Sequence, residues 1–93
     1  MSINDEKAHE YVVRAINYNS KGDIERAFLE INEGIKLYPD YHGAYAARGL
    51  MHFENENYNQ AIIDYETALQ LNPNNNLARQ LLNDTKKRIL GSR

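Results

Sequence analysis

One feature constrains this chain more than any other: it repeats itself every 34 residues. Its two prolines, Pro39 and Pro73, lie one period apart. The same offset sets Tyr11 on Tyr45, Arg14-Ala15 on Arg48-Gly49, Ala27 on Ala61, Ile31 on Tyr65, Gly34 on Ala68 and Leu37 on Leu71. Tyr18 falls on His52 and Lys21 on Asn55. Residues 8–41 and 42–75 read as two copies of one unit, and residues 76–90 begin a third that is not completed. A unit of this length cannot bury its apolar face alone, so the copies must stack around a shared core. The 93 residues leave room for a single domain, 1–93.

Each copy has the spacing of two helices. Ala8, Tyr11, Ala15 and Tyr18 recur every three to four residues and predict a first helix over 5–20. Gly22 breaks it, and Asp23 suits the N-cap of a second, which carries Ala27, Phe28, Ile31, Ile35 and Tyr38 as far as Pro39. Asp40 is the expected cap of a third helix over 41–54, and Asn57 of a fourth over 58–71. One of Asn74, Asn75 and Asn76 should cap a fifth, ending before Gly91. No β-branched run alternates with polar residues, so no strand is expected. Gly34 and Gly49 lie inside helices, where each costs about 1 kcal/mol relative to alanine. Close helix packing at these positions would offset that.

These residues resemble the tetratricopeptide repeat. The likeness is fullest at residues 57–74, NYNQAIIDYETALQLNPN, and extends through Tyr45, Gly49, Ala61, Tyr65, Ala68 and Pro73. The first copy keeps Tyr11, Ala15, Tyr18, Ala27 and Pro39, but has Ile31 in place of an aromatic and Gly34 in place of alanine. His52 departs in the second copy. The resemblance implies an all-α stack of helical hairpins, two repeats plus a C-terminal capping helix at about 76–90. Such a stack would be a fragment of a right-handed superhelical solenoid. In the last helix Ala78, Leu82 and Ile89 should face the preceding repeat, while Asn83 and Lys86 stand where a further repeat would dock.

Catalysis finds no support in the residue pattern. There is no cysteine, and His9, His42 and His52 stand in no metal-binding spacing. No catalytic, metal or cofactor site is expected, and the chain does not read as an enzyme. His52 takes the place of a packing aromatic and should be half-buried. The acidic pairs Asp5/Glu6 and Glu54/Glu56 read as solvated charges near helix ends.

Binding fits better. By the resemblance, the first helix of each pair lines a concave groove. The residues expected there are His9, Val12, Ile16 and Asn19 in the first copy and Ala46, Leu50 and Phe53 in the second. Leu77 and Gln80 continue the stripe in the last helix. These positions are mostly apolar and surplus to the packing set, which suits a peptide or helix of another protein. The family's capture of chaperone-tail carboxylates needs basic and amide groups on this stripe. The matching residues are Val12, Ile16, Ala46, Ala47, Leu50, Gln80 and Leu81, and none is basic.

Charge is uneven. Residues 1–70 hold six cationic and twelve acidic side chains, and residues 71–93 hold five and one. Arg79, Lys86, Lys87, Arg88 and Arg93 make the end of the chain basic. This opens an alternative, self-association of basic end on acidic body into a homo-oligomer. A net charge of −2 argues against a nucleic-acid binder. No apolar run reaches the ~18 residues of a membrane span and no signal-peptide pattern opens the chain, so a cytoplasmic protein without a membrane partner is expected.

Overall fold

The computed structural model describes residues 2–91, and these form five helices with no strand among them. They are α1 (Ile3–Ser20), α2 (Ile24–Leu37), α3 (His42–Glu54), α4 (Tyr58–Leu71) and α5 (Asn76–Gly91). The 34-residue period survives to the residue: α2 and α4 begin and end one period apart, and so do the ends of α1 and α3.

Local chemistry explains most boundaries. Ser2 accepts from the Asp5 amide and Asp23 from the Arg26 amide, at 3.1 and 3.2 Å, capping α1 and α2. Of the three candidate asparagines it is Asn75 that caps α5, accepting from the Ala78 amide at 3.0 Å. Two expectations need correction. Tyr41, not Asp40, is the N-cap of α3, because the turn from Tyr38 to Tyr41 carries Asp40 one residue too early, and no side chain caps this helix. Asn57 holds the N-cap position of α4, but its side chain makes no capping bond.

α1 pairs with α2, α3 with α4, and α5 packs against α4. Between hairpins, α3 touches both α1 and α2, while α5 also touches α3. α2 and α4 make no contact with each other. The helices α1, α3 and α5 therefore form a continuous inner row, and the hairpins fan apart on the other side.

The core that joins the hairpins is built from small residues. Val12, Ala15, Ala27, Ile31, Ala44 and Met51 form one cluster, Ala46, Ala68 and Ala78 a second, and Ala61, Tyr65 and Leu82 a third. Small side chains bring helix axes to the short end of the ordinary 8–10 Å range. The helical glycines show how close. A Cβ on Gly49 would lie 2.6 Å from the Tyr65 ring and 3.2 Å from the Ala61 carbonyl oxygen, and one on Gly34 would lie 2.7 Å from the Tyr11 Cβ. In α5, Ala78 and Leu82 are buried and Ile89 half-buried, while Asn83 and Lys86 are exposed. Arg93 lies outside the described residues.

Hydrogen bonds recur at the same period. Tyr45 donates its hydroxyl to the Pro39 carbonyl at 2.8 Å, and Arg79 donates to the Pro73 carbonyl at 2.6 Å. Each residue ties the start of one inner-row helix to the loop that ends the hairpin before it. The second loop is also held by His42, whose ring nitrogens lie 2.9 Å from the Asn75 amide nitrogen and 3.2 Å from that of Asn72. A neutral imidazole can accept only one of these two.

Candidate functional site

The inner row is where the sequence places a binding surface, and burial divides the expected residues. Val12 and Ala46 are only 5% and 6% exposed, whereas Ile16 and Leu50 are 49% and 37% exposed. Val12 and Ala46 are corrected to the core: Val12 joins the cluster between the hairpins, and Ala46 packs against Ala68 and Ala78. The reason is the angular position of the stripe. One residue's rotation is about 100°, and here it leaves the first residue of the stripe in the seam between helices rather than above it. Val13, one residue further round than Val12, is exposed and was not singled out from the sequence.

Ile16 and Leu50 stand one repeat apart on helices that touch. Two cross-links frame them. At one end the His9 Nδ1 and the Tyr41 hydroxyl lie 3.1 Å apart. At the other, the Asn19 amide donates to the Glu54 carboxylate at 3.0 Å. Both His9 and Asn19 thus fasten α1 to the second hairpin. Leu77 and Gln80 are exposed on α5, with Gln80 in a shallow depression that also includes Asn76, Arg79 and Asn83. Phe53 is more sheltered than expected. It packs on the cluster of Ala61, Tyr65 and Leu82, its ring centroid 5.5 Å from that of Tyr58, and the Arg88 guanidinium stands over its ring at 5.4 Å.

Elsewhere on α1 and α3 lies a repeated ion pair that the sequence reading missed. In the second hairpin, Arg48 donates through Nε and Nη2 to the two oxygens of Asp64 at 2.9 and 2.8 Å, and through Nη1 to Asn32 of the first hairpin at 3.0 Å. In the first hairpin, Arg14 donates through Nε to Glu30 at 2.9 Å. Each arginine also lies over a tyrosine one turn before it, Arg14 over Tyr11 at 4.3 Å and Arg48 over Tyr45 at 5.7 Å. The hydrogen bond to the carboxylate raises the pKa of both guanidinium groups. The signal was available: Arg14 and Arg48 align at one period, and so do Glu30 and Asp64.

His52 completes the junction. It is half-buried, as its replacement of a packing aromatic implied. Its ring centroid is 4.9 Å from that of Phe28, its Nε2 is 3.8 Å from Asp64, and its enclosed Nδ1 has no hydrogen-bond partner among the described residues. Burial pushes its pKa below the ordinary value. The Asp64 charge opposes that shift and the Arg48 charge adds to it. Burial likewise pushes the Tyr65 phenol up to about 12, with Thr85 pulling the other way. The Tyr65 hydroxyl is enclosed and lacks a partner in bonding geometry among the described residues, and Thr85 donates its own proton to the Leu81 carbonyl at 2.7 Å. These are packing environments. Among the described residues no cluster of three or more His, Cys, Asp or Glu side chains is arranged to hold a metal, and no helix is long and apolar enough to cross a membrane.

Comparison with known proteins agrees with this geometry. A search of curated proteins gives no match. Residues 43–75, which span α3, α4 and the loop beyond them, match the tetratricopeptide repeat family. Repeats of this family generally mediate protein–protein interaction and scaffolding. Residues 43–75 thus carry a tetratricopeptide repeat, and the all-helical fold is consistent with a stack of such helical hairpins.

Proposed function

We infer that this chain is a non-catalytic interaction module that receives a peptide or helix of another protein along its inner row, as an adaptor or scaffold. One observation carries the reading. Ile16 and Leu50, at equivalent positions on touching helices, leave large apolar side chains in water although the core does not need them. Val13 adds a third apolar side chain beside them. Phe53 and Arg88 close one end of the surface, and Leu77 extends it onto α5. The capping role of α5 belongs to this reading too, supported by the polar residues Asn83 and Lys86 on its exposed face.

The test is affinity capture from a cell extract with the native chain, an Ile16→Asp variant and a Leu50→Asp variant, each shown by circular dichroism and thermal melting to keep its fold. A partner held by the native chain and lost by both variants supports the reading. Retention by both variants removes it. The alternative, stacking of basic α5 on another copy, has less support. The opposite end of the stack presents Arg14 and Lys21, which would oppose Arg79, Lys86 and Lys87.

A further inference from the structure

The stack has an unfilled copy of its own internal joint. Between the hairpins, the face of α3 made by Arg48, Met51, His52 and Asn55 receives α2. Phe28 lies against His52 with ring centroids 4.9 Å apart, and Asn32, one turn later, accepts from Arg48 Nη1 at 3.0 Å. One period earlier, the same face of α1 is made by Arg14, Asn17, Tyr18 and Lys21. No helix among the described residues covers it, and these four residues line a cleft of about 210 Å³.

The two faces differ in chemistry as well as in occupancy. Arg48 uses Nε, Nη1 and Nη2, and its Nη1 is met by the neighbouring hairpin. Arg14 bonds only through Nε to Glu30 among the described residues, leaving the nitrogen equivalent to the one that Asn32 meets. Buried Met51 is replaced by exposed Asn17, and Asn55 by Lys21. The open face therefore keeps an aromatic floor in Tyr18, with the Arg26 guanidinium over its ring at 5.9 Å, and adds a second cation, Lys21, and an amide. It fits a helix of the α2 kind with a carboxylate where α2 has its amide.

We propose that the cleft of Arg14, Asn17, Tyr18 and Lys21 is a second docking surface, distinct from the inner row, for an amphipathic helix of another protein that presents an aromatic or branched apolar side chain and, one turn later, a carboxylate. The pseudo-equivalent seat of Phe28 and Asn32 defines the first requirement, and the charge of Lys21, beside an Arg14 already paired with Glu30, the second. α5 of another copy does not meet it, because its exposed face carries Arg79, Lys86 and Lys87.

The probe for the test is a side-chain-stapled peptide of residues 23–38, the α2 segment itself, added to the isotope-labelled full chain. Saturable amide shifts at Asn17, Tyr18 and Lys21 are expected. The Asn32→Asp peptide should bind about threefold tighter at low salt and lose that advantage at high salt. The Phe28→Ala peptide should bind about tenfold more weakly. A Lys21→Glu chain should reverse the preference for aspartate, while a Leu50→Asp chain, altered only on the inner row, should bind as the native one does. Shifts that map to Ile16 and Leu50, equal binding by the Phe28→Ala peptide, or no saturation by any peptide at millimolar concentration would overturn the proposal. A concentration-dependent mass of the chain alone that Lys21→Glu abolishes would overturn the choice of occupant in favour of a second copy.

Discussion

Residue 56 occupies a backbone position that its counterpart one repeat earlier fills with glycine. Gly22 has φ +82° and Glu56 has φ +63°. In both copies the chain leaves an inner-row helix through the left-handed region, which disfavours any side chain by about 1 kcal/mol. We expect Glu56→Gly to stabilise the chain by about 1 kcal/mol in urea unfolding, less a few tenths for the added freedom of the unfolded state. Gly49→Ala should do the reverse of what helix propensity suggests. The Tyr65 ring and the Ala61 carbonyl block the new methyl, and we expect a loss of about 1–3 kcal/mol by the same measurement. The helical glycines were legible as sites of close packing. Glu56 was not, because nothing in its side chain reports a positive φ. Only its alignment with Gly22 does.

His52 makes the stability pH-dependent on the acid side. Burial lowers its folded-state pKa below the 6.5 it has when unfolded. The unfolded chain therefore binds more protons as the pH falls, and the stabilisation present above 6.5 is lost on passing down through the folded pKa. Phe28, Asp64 and Arg48 surround the ring, and Arg48 already engages both Asp64 oxygens. We expect His52→Tyr to flatten the dependence of the urea midpoint on pH between about 7 and 5, with an unchanged slope between native and variant as the contrary result.

At the scale of the elements, the two arginine–carboxylate pairs are equivalent in sequence position and unequal in surroundings. Side-chain exposures are 24% and 5% for Arg48 and Asp64, against 45% and 29% for Arg14 and Glu30. Removing Arg48 leaves a buried carboxylate without its cation. We expect Arg48→Met to cost about 3 kcal/mol, and Arg14→Met under about 1 kcal/mol, in parallel denaturation curves. Replacing Arg48 and Asp64 together by apolar residues should recover most of the loss. Helix number, order and limits could be read from spacing, proline and glycine to within a few residues. The alignment of both partners at one period marks the ion pairs as repeated, but spacing does not tell which pair is buried, since arginine and carboxylate on exposed helix faces are ordinary. The burial that distinguishes Arg48 from Arg14 comes from the neighbouring hairpin. Packing also takes two residues out of the expected groove, Val12 in the cluster with Ala44 and Met51 and Ala46 against Ala68 and Ala78, so Ile16, Leu50 and Leu77 are the apolar residues of that stripe that stay exposed.

For the whole molecule, stability is shared between neighbours rather than gathered in one centre. α5 covers Ala61, Tyr65 and Ala68 with Ala78 and Leu82. Deleting residues 76–93 uncovers that end of the second hairpin. We expect the shortened chain to aggregate or to lose its cooperative thermal transition, whereas a soluble chain with a sharp melt would show that two hairpins suffice.

The fan of hairpins also has a mechanical side. α1, α3 and α5 touch in series while α2 and α4 stand apart, so the inner row forms a spine and the outer helices its leaves, α2 being seated on α3 through Phe28 and Asn32. Bending about that spine widens or narrows the gap between α2 and α4 and separates no pair within a hairpin. We expect any give of the molecule to be directed in the same way: a motion that changes the curvature under Ile16 and Leu50 works against the α2–α3 joint of Phe28, His52, Asn32 and Arg48, whereas one that pulls a hairpin apart works against its whole core.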